Sequence, residues 1–288
     1  HFGRPTRGFD LTMSTQQAVT ALSNRLKKRV HFASSCIGET AQLAVNTLPA
    51  GDVLLLENTR FHQGEKKNDP EFAAELAKLG DIFVSDTFST AHRAHASVEA
   101  IARIMPSCAG RLMEEEISRL ENALSSPKKP VMAVVGGAKV SSKLLLLENL
   151  ISPMDKIVIG GGMANTFLAA KGYNIGQSLC EHEMQDTARS IMENAKKMNC
   201  EIILPIDIVV AKEFAANTNC ETLPADACPA DSMILDAGSQ TIKLIHEHLK
   251  HTKTVIWNGP LGAFEVPPFN KATDAAAKYV AELTQSGK

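Results

Sequence analysis

The sequence predicts an α/β protein made of two doubly wound, Rossmann-like parallel-sheet domains joined by a central helix and a hinge. Three observations carry this. Short apolar runs alternate with longer amphipathic segments along the whole chain, the pattern of parallel strands with helices on both faces. Some runs are apolar at every position, as in strands covered on both sides; Val131-Met132-Ala133-Val134-Val135 is the clearest. A polar amphipathic helix over Arg111–Ser125 then runs into Ser125-Ser126-Pro127-Lys128-Lys129-Pro130, a break dense in helix terminators.

Taken in order, the opening His1-Phe2-Gly3-Arg4-Pro5 reads as a strand-to-helix loop with no strand before it. Thr15–Lys28 places Ala18, Val19, Leu22 and Leu26 on one helical face. Strands are expected at Val30–Ala33, Asp52–Leu56 and Ile82–Ser85. The joining helix has Leu112, Met113, Ile117, Leu120 and Leu124 as its apolar side. Beyond the break, strands are expected at Val131–Val135, Lys156–Ile159, Glu201–Leu204, Ser232–Leu235 and Thr254–Trp257. A last helix carries Ala272, Ala275, Ala276, Tyr279, Val280 and Leu283 on one stripe, with Ser286-Gly287 as its stop. The expected division is 1–110, a joining helix over 111–126, and 127–288. A final helix of this kind feeds another strand, so both ends read as truncated relative to a complete fold.

Composition narrows the function. The 288 residues are 44% hydrophobic and 22% charged, enough for substantial cores under a polar surface. A formal net charge of -2 gives no electrostatic case for nucleic acid. No apolar run has the length to span a bilayer, and no basic-then-apolar signal segment opens the chain. The six cysteines form no C-x-x-C pair and read as free thiols of a reducing cytoplasm, with no metal-ligand spacing among them.

Chemistry gathers where strands end, the side on which doubly wound sheets bind ligands. In the first half, Leu56 leads into Glu57-Asn58-Thr59-Arg60, and Ser85 into Asp86 and then Thr90-Ala91-His92-Arg93-Ala94-His95. With His1 and Arg4 from the opening loop, three guanidiniums and an imidazole stand at candidate ligand-facing ends. Paired N–H donors on each arginine suit a small, multiply anionic substrate. His92 and His95 read as hydrogen-bonded histidines framing Arg93; His246, His248 and His251 read as a solvated helix end.

In the second half, three strand exits lack bulky side chains: Gly136-Gly137-Ala138-Lys139, Gly160-Gly161-Gly162 and Asn258-Gly259-Pro260. Backbone amides there can approach an anion closely, and Lys139 supplies a mobile positive charge. Lys143, four residues on, shares a face with Lys139 if a helix starts near Val140. Neither G-x-x-x-x-G-K-[ST] nor G-x-G-x-x-G occurs, which excludes a P-loop and weakens a dinucleotide reading. The glycine triplet alone could serve only tight packing; the stretch Asn258 to Glu265 adds polar contacts and a fixed turn.

Together these motifs resemble the phosphoglycerate kinase family, over essentially the whole chain. The matching stretches are His1-Phe2-Gly3-Arg4-Pro5, Leu56-Glu57-Asn58-Thr59-Arg60-Phe61, Thr90-Ala91-His92-Arg93-Ala94-His95-Ala96-Ser97, Gly136-Gly137-Ala138-Lys139-Val140, Gly160-Gly161-Gly162-Met163-Ala164 and Trp257-Asn258-Gly259-Pro260. The resemblance implies reversible phosphoryl transfer between 1,3-bisphosphoglycerate and ADP, by a monomer with no nucleic-acid or membrane partner. It implies that His1, Arg4, Arg60 and Arg93 bind the acid, with Arg93 and Lys139 catalytic. It places Gly137, Ala138, Lys139, Lys143, Gly161, Leu235, Asn258, Gly259, Pro260, Ala263 and Glu265 on the nucleotide, ATP or ADP with Mg2+. Closure about the central helix would bring an arginine-lined and a lysine-bearing pocket together.

The chain departs from the family pattern. The family's opening strand with its Asp and Asn is absent, as are the next acid-binding arginine and the closing Gly-Gly-Gly-Asp-Thr loop with its magnesium-associated carboxylate. Thr87, Ser89 and Ser142 stand where Ala, Gly and Asp are common. The rival readings are a non-catalytic nucleotide-binding remnant of the same fold, and an unrelated two-domain α/β protein. A dehydrogenase of that kind would carry a dinucleotide fingerprint, which this sequence lacks.

Overall fold

The computed structural model describes residues 2–6 and 8–287. The chain divides into two units, His1–Arg119 and Leu120–Lys288.

In the first unit, Val30–Ala33 (β1) pairs in parallel with Val53–Leu56 (β2), Val30 opposite Val53 and Ala33 opposite Leu56. Phe83–Ser85 (β3) pairs in parallel with Ser107–Ala109 (β4). The helices are Val19–Leu26 (α1), Gly38–Asn46 (α2), Gln63–Lys66 (α3), Pro70–Ala77 (α4) and Ile101–Ile104 (α5). The expected first helix enters through a 3-10 turn over Thr15–Ala18 and stops at Lys27, whose φ of 51° is left-handed. α4 starts sharply because the Asp69 carboxylate accepts from the amides of Glu71 and Phe72, with Pro70 in the first turn. Cys36, Phe72, Ala73, Leu76, Ala96, Ala100 and Ile101 form the unit's core. Burial pushes the Cys36 thiol up to about 12, so it behaves as an apolar filler.

Arg111–Ser125 (α6) spans the division between the units, with Met113 its one buried residue.

The second unit holds a four-stranded parallel sheet, Val131–Gly136 (β5), Lys156–Gly160 (β6), Glu201–Ile203 (β7) and, at the far edge, Thr254–Asn258 (β11), in the order β11-β5-β6-β7. Its helices are Leu144–Ile151 (α7), Gly161–Ala170 (α8), Gln185–Lys197 (α9), Ser239–Lys250 (α10) and Lys271–Gln285 (α11). β5 is buried at every position. Its side chains alternate between faces: Val131, Ala133 and Val135 join one core with Leu147, Phe167 and Ile191, while Met132 and Val134 join the other with Ile245, Leu249 and Ala276. That is the reason for its unbroken apolar run.

A second sheet was not foreseen. Asp207–Ala211 (β8), Cys220–Pro224 (β9) and Met233–Ala237 (β10) pair antiparallel in the order β10-β8-β9. The strand expected near Ser232–Leu235 therefore belongs to this sheet.

Candidate functional site

Each unit carries its own constellation. In the first, the exit of β2 is stitched to the opening loop. Glu57, buried, accepts from Ser14 Oγ (2.6 Å), the Thr15 amide (2.9 Å) and the Asn58 amide (2.7 Å). Asn58 Nδ2 donates to the carbonyls of Phe2 (2.6 Å) and Met13 (3.0 Å), and its Oδ1 receives the Arg60 amide at 3.1 Å. These bonds fix where Arg60 leaves the backbone.

Arg60 Nη1 donates to the Gly3 carbonyl at 2.9 Å, while its Nε is buried with no partner among the described residues. Burial, and then the neighbouring charges of Arg93 and Arg4, hold the Arg60 guanidinium below its ordinary pKa, with Glu65 opposing. The fold thus places Arg4 and Arg93 each within electrostatic reach of Arg60. Arg93 Nε lies 3.2 Å from His92 Nε2. Glu65, fully buried, accepts from the Ser97 amide (3.0 Å) and hydroxyl (2.7 Å), with His95 Nδ1 3.6 Å away. Burial lowers the His95 pKa, helped by Arg60, Arg93 and Lys66 and opposed by Glu65. His1 lies outside the described residues.

In the second unit, the exits of β5, β6 and β11 nest into one another. A Cβ on Gly136 would lie 1.7 Å from the Pro260 carbonyl oxygen, so no side chain fits there. Gly161 has φ +66°, and its amide donates to the Leu261 carbonyl at 2.8 Å; the Met163 amide donates to the Gly137 carbonyl at 2.9 Å. Two amides of the first turn of α8 are therefore engaged by carbonyls of the neighbouring exits. The glycines serve loop-to-loop packing here, and the expected anion approach is narrowed to what those bonds leave.

Lys143 Nζ donates to the Asn258 carbonyl (3.0 Å) and contacts the Asn258 side-chain oxygen, tying the β5 exit to the β11 exit; burial lowers its pKa. Lys139 is exposed. The two lysines do not share an α-helical face. A 3-10 turn over Ser141–Lys143 separates Lys139 from α7, because Val140 is buried and the backbone after it is held by Glu181. Trp257 Nε1 donates to the Gly259 carbonyl at 2.7 Å and fixes the turn before Pro260.

A cavity of about 560 Å³ opens beside these exits. Of the residues expected on the nucleotide, Gly137, Ala138, Gly161, Leu235, Pro260, Ala263 and Glu265 line it; Lys139, Lys143, Asn258 and Gly259 do not. Sequence reasoning missed Asn165, Leu179, Phe214 and Asp236, which also line it. Phe214 follows β8, a strand that was not foreseen. Asp236, 3% exposed, accepts from the amides of Ala237 (2.9 Å) and Ala272 (3.0 Å), and burial pushes its carboxyl up to about 7 against those bonds. The Ala263 amide donates to the Leu235 carbonyl at 2.8 Å, joining two walls of the cavity. Among the described residues no three His, Cys, Asp or Glu side chains group as a metal site, and no helix is long and apolar enough to cross a membrane.

A family model described as phosphoglycerate kinase matches residues 1–288. The chain is 56% identical over 288 residues to the phosphoglycerate kinase of Ruegeria sp. (strain TM1040), covering 100% of itself and 73% of that relative. It is 56% identical over 289 residues to the phosphoglycerate kinase of Cereibacter sphaeroides (strain ATCC 17025 / ATH 2.4.3), with the same two shares, 100% and 73%. Among solved structures, phosphoglycerate kinase from Coxiella burnetii superposes with a TM-score of 0.73 at 39% identity, over 98% of this chain and 71% of that one. Phosphoglycerate kinase from Pyrococcus horikoshii OT3 gives a TM-score of 0.79 at 30% identity, over 93% and 70%.

Proposed function

This chain belongs to the phosphoglycerate kinase family, and we propose that its first unit holds the glycerate acid while its second holds the adenine nucleotide. The reaction is reversible phosphoryl transfer between 1,3-bisphosphoglycerate and ADP, giving 3-phosphoglycerate and ATP. It needs alignment and charge neutralisation, and no covalent enzyme intermediate.

One observation carries the acid side. Among the described residues the buried Arg60 Nε has no partner, while the charges of Arg93 and Arg4 act on the same guanidinium. A buried donor left unpaired costs about 1–3 kcal/mol, and like charges brought together repel. A ligand with a carboxylate and a phosphate relieves both. Arg4, Arg60 and Arg93 therefore grip the acid and its distal phosphate; the family resemblance alone assigns His1, outside the described residues, to the same ligand.

On the nucleotide side, the cavity has a mostly apolar lining that includes Gly161, Leu235, Pro260 and Ala263. That suits a purine ring, with Glu265 at the edge for the ribose. Lys143 and the Gly137–Ala138 backbone hold phosphates, beside the turn of Asn258, Gly259 and Pro260. Lys139, exposed, neutralises charge on the moving phosphoryl group. Mg2+ bound with the nucleotide would neutralise its phosphates; among the described residues no three His, Cys, Asp or Glu side chains group to hold it. The enzyme is proposed to act as a cytoplasmic monomer.

The experiment is a coupled assay of 3-phosphoglycerate-dependent ATP consumption beside calorimetric titration of ADP. Turnover together with ADP binding supports the reading. ADP binding without turnover would make this chain a nucleotide-holding remnant, and neither would overturn the assignment of both units.

A further inference from the structure

The strap Leu179–Glu181, between α8 and α9, joins the cavity wall to the loop that carries Lys139. Leu179 lines the cavity, and its carbonyl accepts from Asn165 Nδ2 at 3.1 Å. Two residues on, the Glu181 amide donates to Thr166 Oγ1 at 3.1 Å. Asn165 and Thr166 are adjacent on α8 and are 2% and 0% exposed, so the strap is pinned twice to a rigid helix. The Glu181 carboxylate, from a residue 8% exposed, then grips the backbone that follows Lys139. It accepts from the Ser141 amide at 2.9 Å and from the Ser141 hydroxyl, one donor on each carboxylate oxygen.

A buried carboxylate with both oxygens bonded to one residue of the turn is expensive to desolvate and directional once bonded. It holds that turn in one conformation. Burial raises the Glu181 pKa, but the Ser141 donors and the nearby charge of Lys139 outweigh it and hold the carboxyl below its ordinary value. Ionised, Glu181 also sets a fixed negative charge beside an otherwise exposed ammonium.

We propose that Glu181 is a positioning residue for phosphoryl transfer: it locks the Val140–Ser141 turn so that Lys139 is presented at a fixed place relative to the nucleotide cavity. This rests on the nucleotide reading of the second unit. Glu181 does not touch the reacting atoms; it acts through Lys139. Its effect therefore falls on turnover and spares nucleotide affinity.

The test is a double-mutant cycle on the full chain, with Glu181→Gln, Lys139→Ala and the pair. The readouts are kcat and KM in 3-phosphoglycerate-dependent ATP turnover, and ADP affinity by calorimetry. Glu181→Gln should lower kcat at least about tenfold while the ADP dissociation constant moves less than about threefold, and should add less than about twofold once Lys139 is Ala. Losses that multiply in the pair would overturn the proposal, as would an unchanged kcat. If the Gln variant does not fold, Ser141→Ala decides: it removes one donor, and kcat should fall roughly threefold, with no fall counting against the clamp. Were wild type to bind ADP without turnover, the kinase reading would fail by itself. Amide hydrogen exchange would then judge the strap, since Val140 and Ser141 should exchange faster in Glu181→Gln, and equal rates would sink it.

Discussion

Lys143 Nζ stands 3.0 Å from the carbonyl oxygen of Asn258, so a side chain from the β5 exit closes on the backbone of the β11 exit. Burial lowers its pKa, so part of its charge has been taken out of water to make that bond. Lys143→Ala should release the Asn258 turn and remove a phosphate partner together. ADP affinity is expected to fall about tenfold, equivalent to ~1.4 kcal/mol. Calorimetry would check this, and unchanged affinity would confine Lys143 to structure.

Lys139 differs because it is exposed. Lys139→Ala should lower kcat by roughly two to three orders of magnitude and move ADP affinity by less than about threefold. Steady-state kinetics beside calorimetry separates the two effects. A rate equal to wild type would take Lys139 out of the mechanism.

Arg93 adds charge to the Arg60 pocket. Arg93→Ala should raise KM for 3-phosphoglycerate by about ten- to a hundredfold and leave KM for ATP within about twofold. A defect confined to ATP would reverse the assignment of ligands to units.

Asp236 gives a pH prediction. Its carboxyl sits at about 7 in the folded protein against an ordinary 3.8. The folded state therefore keeps a proton that the unfolded chain releases. The contribution is fully present below about pH 4 and is lost as pH rises to about 7, at up to about 1.4 kcal/mol for each pH unit crossed. Urea unfolding at pH 5 and pH 8 should show a smaller pH difference for Asp236→Asn than for wild type. Equal differences would mean that Asp236 does not titrate in this window.

Gly136 tests the packing of the three exits. With a Cβ 1.7 Å from the Pro260 oxygen, Gly136→Ala must displace one loop or the other. Stability should drop by roughly 2–4 kcal/mol, with ADP affinity falling alongside. A thermal melt like that of wild type would mean the loops part easily.

The parallel sheet of the second unit was legible because β5 sends alternate side chains into two separate cores, leaving no polar position in its run. The antiparallel sheet was not. Only three residues separate β7 from β8, so no helix announced a new strand, and β9 is exposed at four of five positions. β4 is exposed throughout and carries no pattern. At the candidate sites, arginines and glycines at strand exits could be read from position alone. Their organisers could not. Glu65, Glu181 and Asp236 carry no motif in the sequence and Glu57 shows only as part of a strand exit; it is the tertiary fold that buries all four against backbone amides. The same limit applies to Lys139 and Lys143, whose helical spacing is cancelled by a turn that a distant glutamate holds.

Trp257 is the chain's single tryptophan, and its indole N–H is committed to the Gly259 carbonyl. The protein thus carries its own optical gauge at the rim of the second unit. Emission from one fluorophore follows whether that rim is taut or slack, with no label attached and no other indole to blur the signal.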